Sequence, residues 1–268
     1  MTGVRFVLAG TLALTKAELA NLFQYRIVMF LYALWEVVNP IVYIVVWSLV
    51  AGDGEVGGYR REDFIMYYLV FMLVSHFTIS IEVYTFAPLI QQGKLSPRLL
   101  RPMHPSWSAA ATNIAYKAVS LIMLIPVWIG IFVILRPPFH GDWIGILLFV
   151  PAILMATLVS FLAGSAFAML AFWTTKSFSF WEIWMSLLFL FGGQVAPIAV
   201  LPEVARVMAI GLPFRYALGF PVEVVLGRLE PAELLTGFAL QGAWTVVAVM
   251  VFAVLWRAGI RRYSAVGA

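Results

Sequence analysis

The sequence contains no cysteine and few charged residues. Without cysteine, disulfide bonds, thiolate metal sites and cysteine nucleophiles are all excluded. Only 11% of the 268 residues are charged, whereas 63% are apolar by the AVILMFWYC count; a typical soluble domain has about 25% charged residues. So few charges cannot cover the surface of a water-soluble globule of this size. Composition therefore excludes a soluble enzyme, a disordered tail and a secreted disulfide scaffold, and it predicts a protein that lies in a lipid bilayer.

Motifs for nucleotide binding and hydrolysis are also missing. The sequence has no Gly-x4-Gly-Lys-Ser/Thr loop, so we do not expect this chain to bind ATP in a phosphate-binding loop. His104 and His140 fall in separate loops, which leaves no histidine cluster for a metal. Ser165 is not followed by the glycine of a nucleophile elbow. We therefore predict that the chain is not an enzyme and carries no cofactor or metal of its own.

Long apolar runs account for most of the chain. A bilayer core about 30 Å thick needs roughly 20 apolar residues in a helix, and six segments of the sequence qualify. Their apolar residues occur on all sides, as expected for helices in lipid, and the period-two alternation of a transmembrane barrel is missing. The predicted fold class is an all-α membrane protein, with a single transmembrane domain over residues 1–268. The predicted spans are residues 27–50, 64–89, 112–135, 143–172, 180–201 and 235–256.

Basic residues predict the orientation of these spans. With the amino terminus placed inside, eleven of the 17 Lys and Arg residues fall on the inner side and the others on the outer side. Short loops rich in Lys and Arg usually face the cytoplasm. We therefore predict a multi-pass protein of the plasma (inner) membrane with both termini in the cytoplasm.

The stretch before the first span, residues 1–26, has two interpretations. Arg5 and the apolar run after it are typical of a signal peptide with a short hydrophobic core. No small-x-small cleavage site follows, however, and Lys16, Glu18 and Asn21 continue a helical pattern. An N-terminal interfacial helix that leads into the first span fits this pattern better.

The connection between the second and third spans, residues 91–105, is basic and contains no acidic residue. Three prolines bracket a short segment within it, and Pro97 suits the first position of a helix. Leucines on so short an element are typical of a surface that docks on a partner. A loop that only sets topology through its charge is the alternative, and the residues alone do not decide between the two. The residues that would dock are Lys94, Leu95, Arg98, Leu99, Leu100 and Arg101.

The connection between the fifth and sixth spans, residues 202–234, is long and rather apolar for an external loop. Prolines and glycines divide it into two short helical stretches. Irregular backbone at membrane depth survives only where protein covers it, so we predict an external re-entrant helical hairpin. A pore loop is the alternative, although no carbonyl filter motif supports it.

Polar residues within the spans are candidates for function, because ionisable groups are costly in lipid. Glu82 and Lys117 fall at similar depth in neighbouring spans, where a pair between them would more often serve structure than transport. The polar candidates are Glu36, Asn39, His76, Glu82, Gln194 and Gln241.

Three motifs give the chain a family resemblance. They are GKLSPRLLRP at 93–102, LPFRYALGFPVEVVLGRL at 212–229 and WRAGIRRYSAVGA from Trp256 to the last residue. In this order, with six spans between and around them, they resemble the small six-span permeases of type-2 ABC exporters, in the uncharacterised transport system group. The resemblance implies cytoplasmic ABC ATPase subunits as separate chains, which would bind ATP and magnesium. It also implies a second six-span permease, as a homodimer or a related heterodimer, and no nucleic-acid partner.

The resemblance also implies roles for particular residues. Residues 91–105 would be the coupling loop to the ATPase, with Lys94, Leu95, Arg98, Leu99 and Arg101 in contact. Glu36, Asn39, His76, Glu82 and Gln194 would face the pathway, and an external gate would comprise Pro213, Phe214, Arg215, Tyr216 and Pro221. The expected function is a permease subunit that exports a lipid-like, amphipathic or drug-like compound by alternating access. The alternative is a stand-alone channel or secondary transporter; such proteins often carry internal repeats, and the two halves of this chain show none.

Overall fold

The computed structural model describes residues 3–264, which form helices joined by turns and short loops. No β-strand occurs among these residues, which confirms the predicted all-α class. Two 3-10 helices lie at Leu170–Phe172 and Ile198–Val200. The α-helices are α1 (Gly3–Gln24), α2 (Arg26–Ala51), α3 (Arg61–Thr78), α4 (Glu82–Thr85), α5 (Ala87–Gln91), α6 (Ser96–Leu99), α7 (Ser106–Leu135), α8 (Trp143–Met169), α9 (Ser177–Phe191), α10 (Glu203–Gly211), α11 (Pro213–Ala217), α12 (Gly219–Val225) and α13 (Pro231–Ile260).

Six segments of the described chain are long and apolar enough to cross a membrane, which confirms a fold with six candidate spans. Five of them coincide with predicted spans: α2, the stretch from α3 through α5, α7, α8 with the 3-10 helix that follows it, and α13. The remaining one is Arg5–Gln24 in α1, and not the predicted fifth span. The corresponding helix, α9, is apolar but only 15 residues long.

The helix predicted over residues 180–201 ends at Phe191, because the chain after it cannot continue a helix. Gly193 has a φ of 85°, a left-handed conformation that glycine adopts without strain. Tyr67 Oη donates a hydrogen bond to the Gly193 carbonyl over 2.8 Å. Tyr68 Oη and Trp47 Nε1 donate to the Val195 carbonyl over 2.8 and 2.7 Å. These bonds hold the non-helical segment 192–197 against α2 and α3.

We expect Gly193→Ala to lower the free energy of unfolding by about 1–3 kcal/mol. Alanine is strained at this φ, and its methyl group would overlap the Tyr67 hydroxyl. Thermal unfolding of the purified chain in detergent measures the loss. The control is Gly211→Ala, where the added methyl group meets no atom within 4 Å. Equal stability of the two variants would contradict the left-handed conformation of Gly193 and its close contact with Tyr67.

The second predicted span, 64–89, is interrupted at residues 79–81. Its first part is α3 and its second part is the short pair α4 and α5. Ser80 donates a hydrogen bond from its hydroxyl to the Glu82 carboxylate, a local side-chain contact of the kind that competes with helical backbone bonding. The two parts also belong to different apolar clusters: α3 to one with α2 and α12, and α4 and α5 to one with α8 and α9.

The loops collect at two ends of the bundle, as the predicted topology requires. At the end that we call the α1 end, Gln91 lies beside Thr175, Ser96 beside Tyr263 and Gly259 beside Phe172. At the opposite end, the hairpin end, Gly57 lies beside Val200, and Arg228 bonds to the Gly58 carbonyl and to Asp63. Which of the two ends faces the cytoplasm stays a prediction.

The segment between α10 and α13 enters the bundle from the hairpin end and returns to it. At its deepest point Ser160 Oγ donates to the Ala217 carbonyl over 3.4 Å, and Ser160 lies about 25 Å along α8 from Trp143. The returning arm α12 brings the Val225 carbonyl back to Gly141 at the start of α8. All residues from 214 to 226 are buried, so this irregular backbone is covered by protein as such segments require.

Helix α1 lies at the α1 end along most of its length. Gly10 packs on Met103 of the loop 91–105, and Gln24 is followed by Tyr25 and the start of α2 at that same end. The body of α1 packs on α7. This course fits the predicted interfacial helix, although α1 is also long and apolar enough to cross a bilayer. Its position relative to lipid stays a prediction.

Candidate coupling loop and buried polar clusters

The loop 91–105 is packed on one side and open on the other. Leu95 is fully buried and lies in an apolar cluster with Phe86 and Ile90. In this structure Leu95 fastens the loop to the bundle, and its contact with a partner stays a prediction. Leu100, in contrast, is 88% exposed. Together with the exposed side chains Lys94 and Arg101 it forms what we call the exposed loop surface.

The other side of the loop is fixed by polar and aromatic contacts. Arg98 Nη1 donates to Ser108 Oγ at the start of α7 over 2.8 Å. The Ser96 backbone N–H donates to Tyr263 Oη over 3.1 Å. Leu99 is half-buried against the same apolar cluster as Leu95. Of the predicted docking residues, Lys94, Leu100 and Arg101 are exposed, whereas Leu95 is buried and Arg98 and Leu99 are half-buried. The loop thus reaches α7 and the end of α13 as one unit.

His104 ends the loop with its ring against Trp256, tilted by 58° to the indole. Its imidazole centroid lies 4.5 Å from that of Trp256, and Nδ1 accepts a hydrogen bond from the Ser106 backbone N–H. Burial lowers the pKa of His104 from its usual value, because the charged imidazolium loses hydration there. At neutral pH the positive charge of this region therefore comes from lysine and arginine.

Glu36 and His76, two of the predicted pathway residues, meet in a cluster that joins three helices. His76 Nδ1 lies 2.8 Å from Glu36 Oε2, and Nε2 lies 3.0 Å from the Lys117 carbonyl. A carbonyl can only accept, so Nε2 carries a hydrogen, and a second hydrogen lies between Nδ1 and the carboxyl group. Tyr116 Oη donates to Glu36 Oε1 over 3.2 Å. Both carboxyl oxygens of Glu36 are therefore engaged between α2, α3 and α7.

Glu82 lies in a second buried cluster at the interruption of the second span. Its carboxylate is fully buried and accepts from Ser80 Oγ and, over 2.8 Å, from Asn113 Nδ2. The predicted pair with Lys117 does not form within the described chain, where no lysine nitrogen comes within 4.0 Å of this carboxylate. Asn113, one turn before Lys117 on α7, is the residue at the level of Glu82.

The remaining polar candidates occupy different surroundings. Asn39 is half-buried on α2, one turn after Glu36. Gln194 is half-buried in the non-helical segment 192–197, and not within a helix as predicted. Gln241 on α13 is fully buried, and its Nε2 donates to the carbonyls of Ala152 and Tyr216 over 2.9 and 3.0 Å. Gln241 thus fastens the hairpin to α8 and α13.

The residues predicted as an external gate lie inside the bundle. Arg215 and Glu223 form a buried ion pair between α11 and α12, with Nε 2.9 Å and Nη2 2.6 Å from Glu223 Oε2. The guanidinium also lies 5.7 Å and 5.8 Å from the ring centroids of Tyr216 and Phe220. Phe214 reaches Trp184 of α9. Pro213 is the first residue of α11, and Pro221 lies within α12. A role for these residues in gating stays a prediction.

Several polar residues of these clusters were not predicted from the sequence. Ser80, Asn113 and Tyr116 complete the two buried clusters, and Tyr263 holds the loop. The signal that could have found Asn113 is an amide near the start of an apolar span, on the same helical face as Lys117. Ser80 and Tyr116 carried no such signal, because serine and tyrosine are common in membrane helices and at their ends.

Comparison with known families gives one match that spans most of the chain. A family model described as ABC-2 family transporter protein matches residues 34–267. The matched range includes the loop 91–105, both buried clusters and the hairpin, but leaves out all of α1 and the start of α2. No curated protein matches the chain.

Proposed function

The chain belongs to the ABC-2 family of transporter proteins and is a membrane permease of an ABC transporter; on this premise we propose that it is the permease subunit of an ATP-driven exporter. Its cargo is a lipid-like, amphipathic or drug-like compound. It lies in the plasma membrane with the α1 end and both termini in the cytoplasm. The observation that carries the proposal is the family match over residues 34–267, together with a basic loop whose surface is open on one side.

The ATPase is a separate chain that binds ATP and magnesium and docks on the exposed loop surface. A leucine that is 88% exposed between cationic side chains suits an interface in which an apolar anchor fills a pocket and charges line the rim. The rest of the loop is hydrogen-bonded to α7 and to Tyr263 after α13. A displacement of this surface is therefore transmitted to the bundle and is not lost in a flexible loop.

Two permeases, identical or related, form the pathway. The outward faces of α2 and α9 carry many exposed apolar side chains, including Trp35, Leu49 and Ile183, which a partner protomer and lipid would cover. Closure of the ATPase dimer rocks the two protomers and opens the pathway outward, a rigid-body change. ATP favours the closed ATPase dimer and so biases the equilibrium between the inward and outward states.

The test begins with the tagged full chain purified in mild detergent, from which a co-purifying polypeptide with Walker motifs is identified and reconstituted. We expect Lys94→Glu combined with Leu100→Glu to weaken ATPase binding about tenfold or more and to abolish ATP-driven export. The control is Val204→Glu, which places the same charge on a residue of α10 that is 74% exposed at the hairpin end.

Wild-type ATPase binding and export by the loop variant would remove this surface from the mechanism. Sustained uphill flux or steady ionic current from the purified chain alone would instead favour a secondary transporter or a channel, and would overturn the proposed function.

A further inference from the structure

A cleft of about 350 Å³ lies between α1 and the loop 91–105, within the size range of ligand sites. One wall is a single face of α1, formed by Phe6, Gly10, Ala13 and Leu14, whose spacing places them side by side. The other wall comes from the loop and the start of α7, from Arg98 to Ser108. Its surface is almost entirely apolar carbon, apart from the groups at its rim.

Both charged side chains that line this cleft are arginines. Among the residues that the structure describes, Arg98 and Arg101 line it and no acidic residue does. Among the described residues, no carboxylate oxygen lies within 4.0 Å of either guanidinium. After burial, the charge of Arg101 lowers the pKa of Arg98 and the charge of Glu18 raises it, so both groups lie near this guanidinium. Within the described part of the chain, Arg98 makes one side-chain hydrogen bond, from Nη1 to Ser108.

We propose that this cleft binds an anionic phospholipid of the adjoining leaflet, with an acyl chain against α1 and the phosphate between Arg98 and Arg101. The inference rests on the chain being a membrane protein and on α1 lying at the bilayer surface, and it does not depend on the direction of transport or on the ATPase.

Three observations favour a lipid over a protein segment as the occupant. The outward face of α1 is apolar and exposed, with Leu8 and Leu12 more than half accessible, so with α1 at the bilayer surface acyl chains would lie beside the cleft. An apolar slot with cations at one rim matches the division of a phospholipid into tail and phosphate. The planar fork of arginine also suits phosphate oxygens better than lysine does.

The test is native mass spectrometry of the full chain in mild detergent, offered equal amounts of phosphatidylglycerol and phosphatidylcholine. We expect the wild type to retain phosphatidylglycerol preferentially. Arg98→Gln combined with Arg101→Gln is expected to weaken this retention about 30-fold, from the loss of two charges near a phosphate. The matched control Lys94→Gln removes a charge from the same loop but outside the cleft, and its retention should change little.

A second variant, Ala13→Trp, fills the apolar slot while both arginines remain. It is expected to lose phosphatidylglycerol as well, whereas thermal unfolding in detergent should show that both variants are folded. Equal retention of the two lipids by the wild type, an equal loss in Lys94→Gln, or full retention in Ala13→Trp would each overturn the proposal.

The rival occupants are a segment of a partner protein and a second copy of this chain. The sequence has no cysteine, so Ala13→Cys supplies a single thiol for a photoactivatable crosslinker. Crosslinking to phosphatidylglycerol supports the proposal, and crosslinking to a polypeptide overturns it. These outcomes differ from a failure of the proposed function, because loss of ATPase docking follows from Lys94 and Leu100, which do not line the cleft.

Discussion

Arg215→Ala is expected to lower the free energy of unfolding by about 3–5 kcal/mol, the cost of leaving one partner of a buried ion pair alone. Arg215 and Glu223 are 9% and 6% exposed in their side chains, so water cannot replace the lost guanidinium. Arg215 lies in α11 and Glu223 in α12, the two short helices of the hairpin. The ion pair is therefore a main connection between these two helices. We therefore expect the variant to loosen the hairpin before the rest of the bundle.

The measurement is thermal or denaturant unfolding of the purified protein in detergent, with protease cleavage between residues 212 and 230 as a local readout. The matched variant is Arg215→Met combined with Glu223→Leu, which removes both charges at similar volume and should recover most of the stability. Arg228→Ala removes a more exposed arginine from the same end and should cost about 1 kcal/mol or less. Equal losses for Arg215→Ala and Arg228→Ala would contradict the role of the buried pair.

Gly164→Ala is expected to have the second large effect, a loss of about 3 kcal/mol from overpacking. A methyl group at this position of α8 would overlap Ser80 Oγ and crowd the Glu82 carboxylate. Ser80 must then move, and Glu82 loses one of its two side-chain donors. Because these residues form the interruption of the second span, we also expect slower export by a reconstituted transporter.

The control for this variant is Gly130→Ala on α7, where the added methyl group meets no atom within 4 Å. Alanine is preferred over glycine in a helix by about 1 kcal/mol, so this variant should match or exceed wild-type stability. If Gly164→Ala also unfolds at the wild-type temperature, the contact between α8 and Ser80 is not as tight as described here.

Five of the six candidate spans could be predicted, because they depend on bulk transfer of apolar side chains into lipid. That term sums over about 20 residues, so a few misjudged residues do not change the result. The hairpin at 202–234 was predicted for a similar reason, since an apolar stretch broken by prolines has to be covered. Its depth beside Ser160 was not predictable, because it depends on which carbonyls find donors on α8 and α13.

The finer features escaped prediction because they depend on single contacts between distant residues. The end of α9 is set by Tyr67, Tyr68 and Trp47, which lie more than 120 residues away along the chain. Leu95 and Leu100 are the same residue type on the same short element, yet one is buried and the other exposed. Hydrophobicity cannot separate them, and only the packing of the loop on α5 and α8 does.

The interruption at residues 79–81 divides the second span into two helical parts, α3 before it and the pair α4 and α5 after it. Helices α4 and α5 pack in one apolar cluster with Leu95 of the loop 91–105. Helix α3 packs in another with Leu218 and Val222 of the hairpin. If the ATPase moves the loop as proposed, the displacement that travels along this span would have to cross residues 79–81 before it reaches the hairpin. The hydrogen bonds that Ser80 and Asn113 donate to Glu82 would then help to decide how far the span bends at that point.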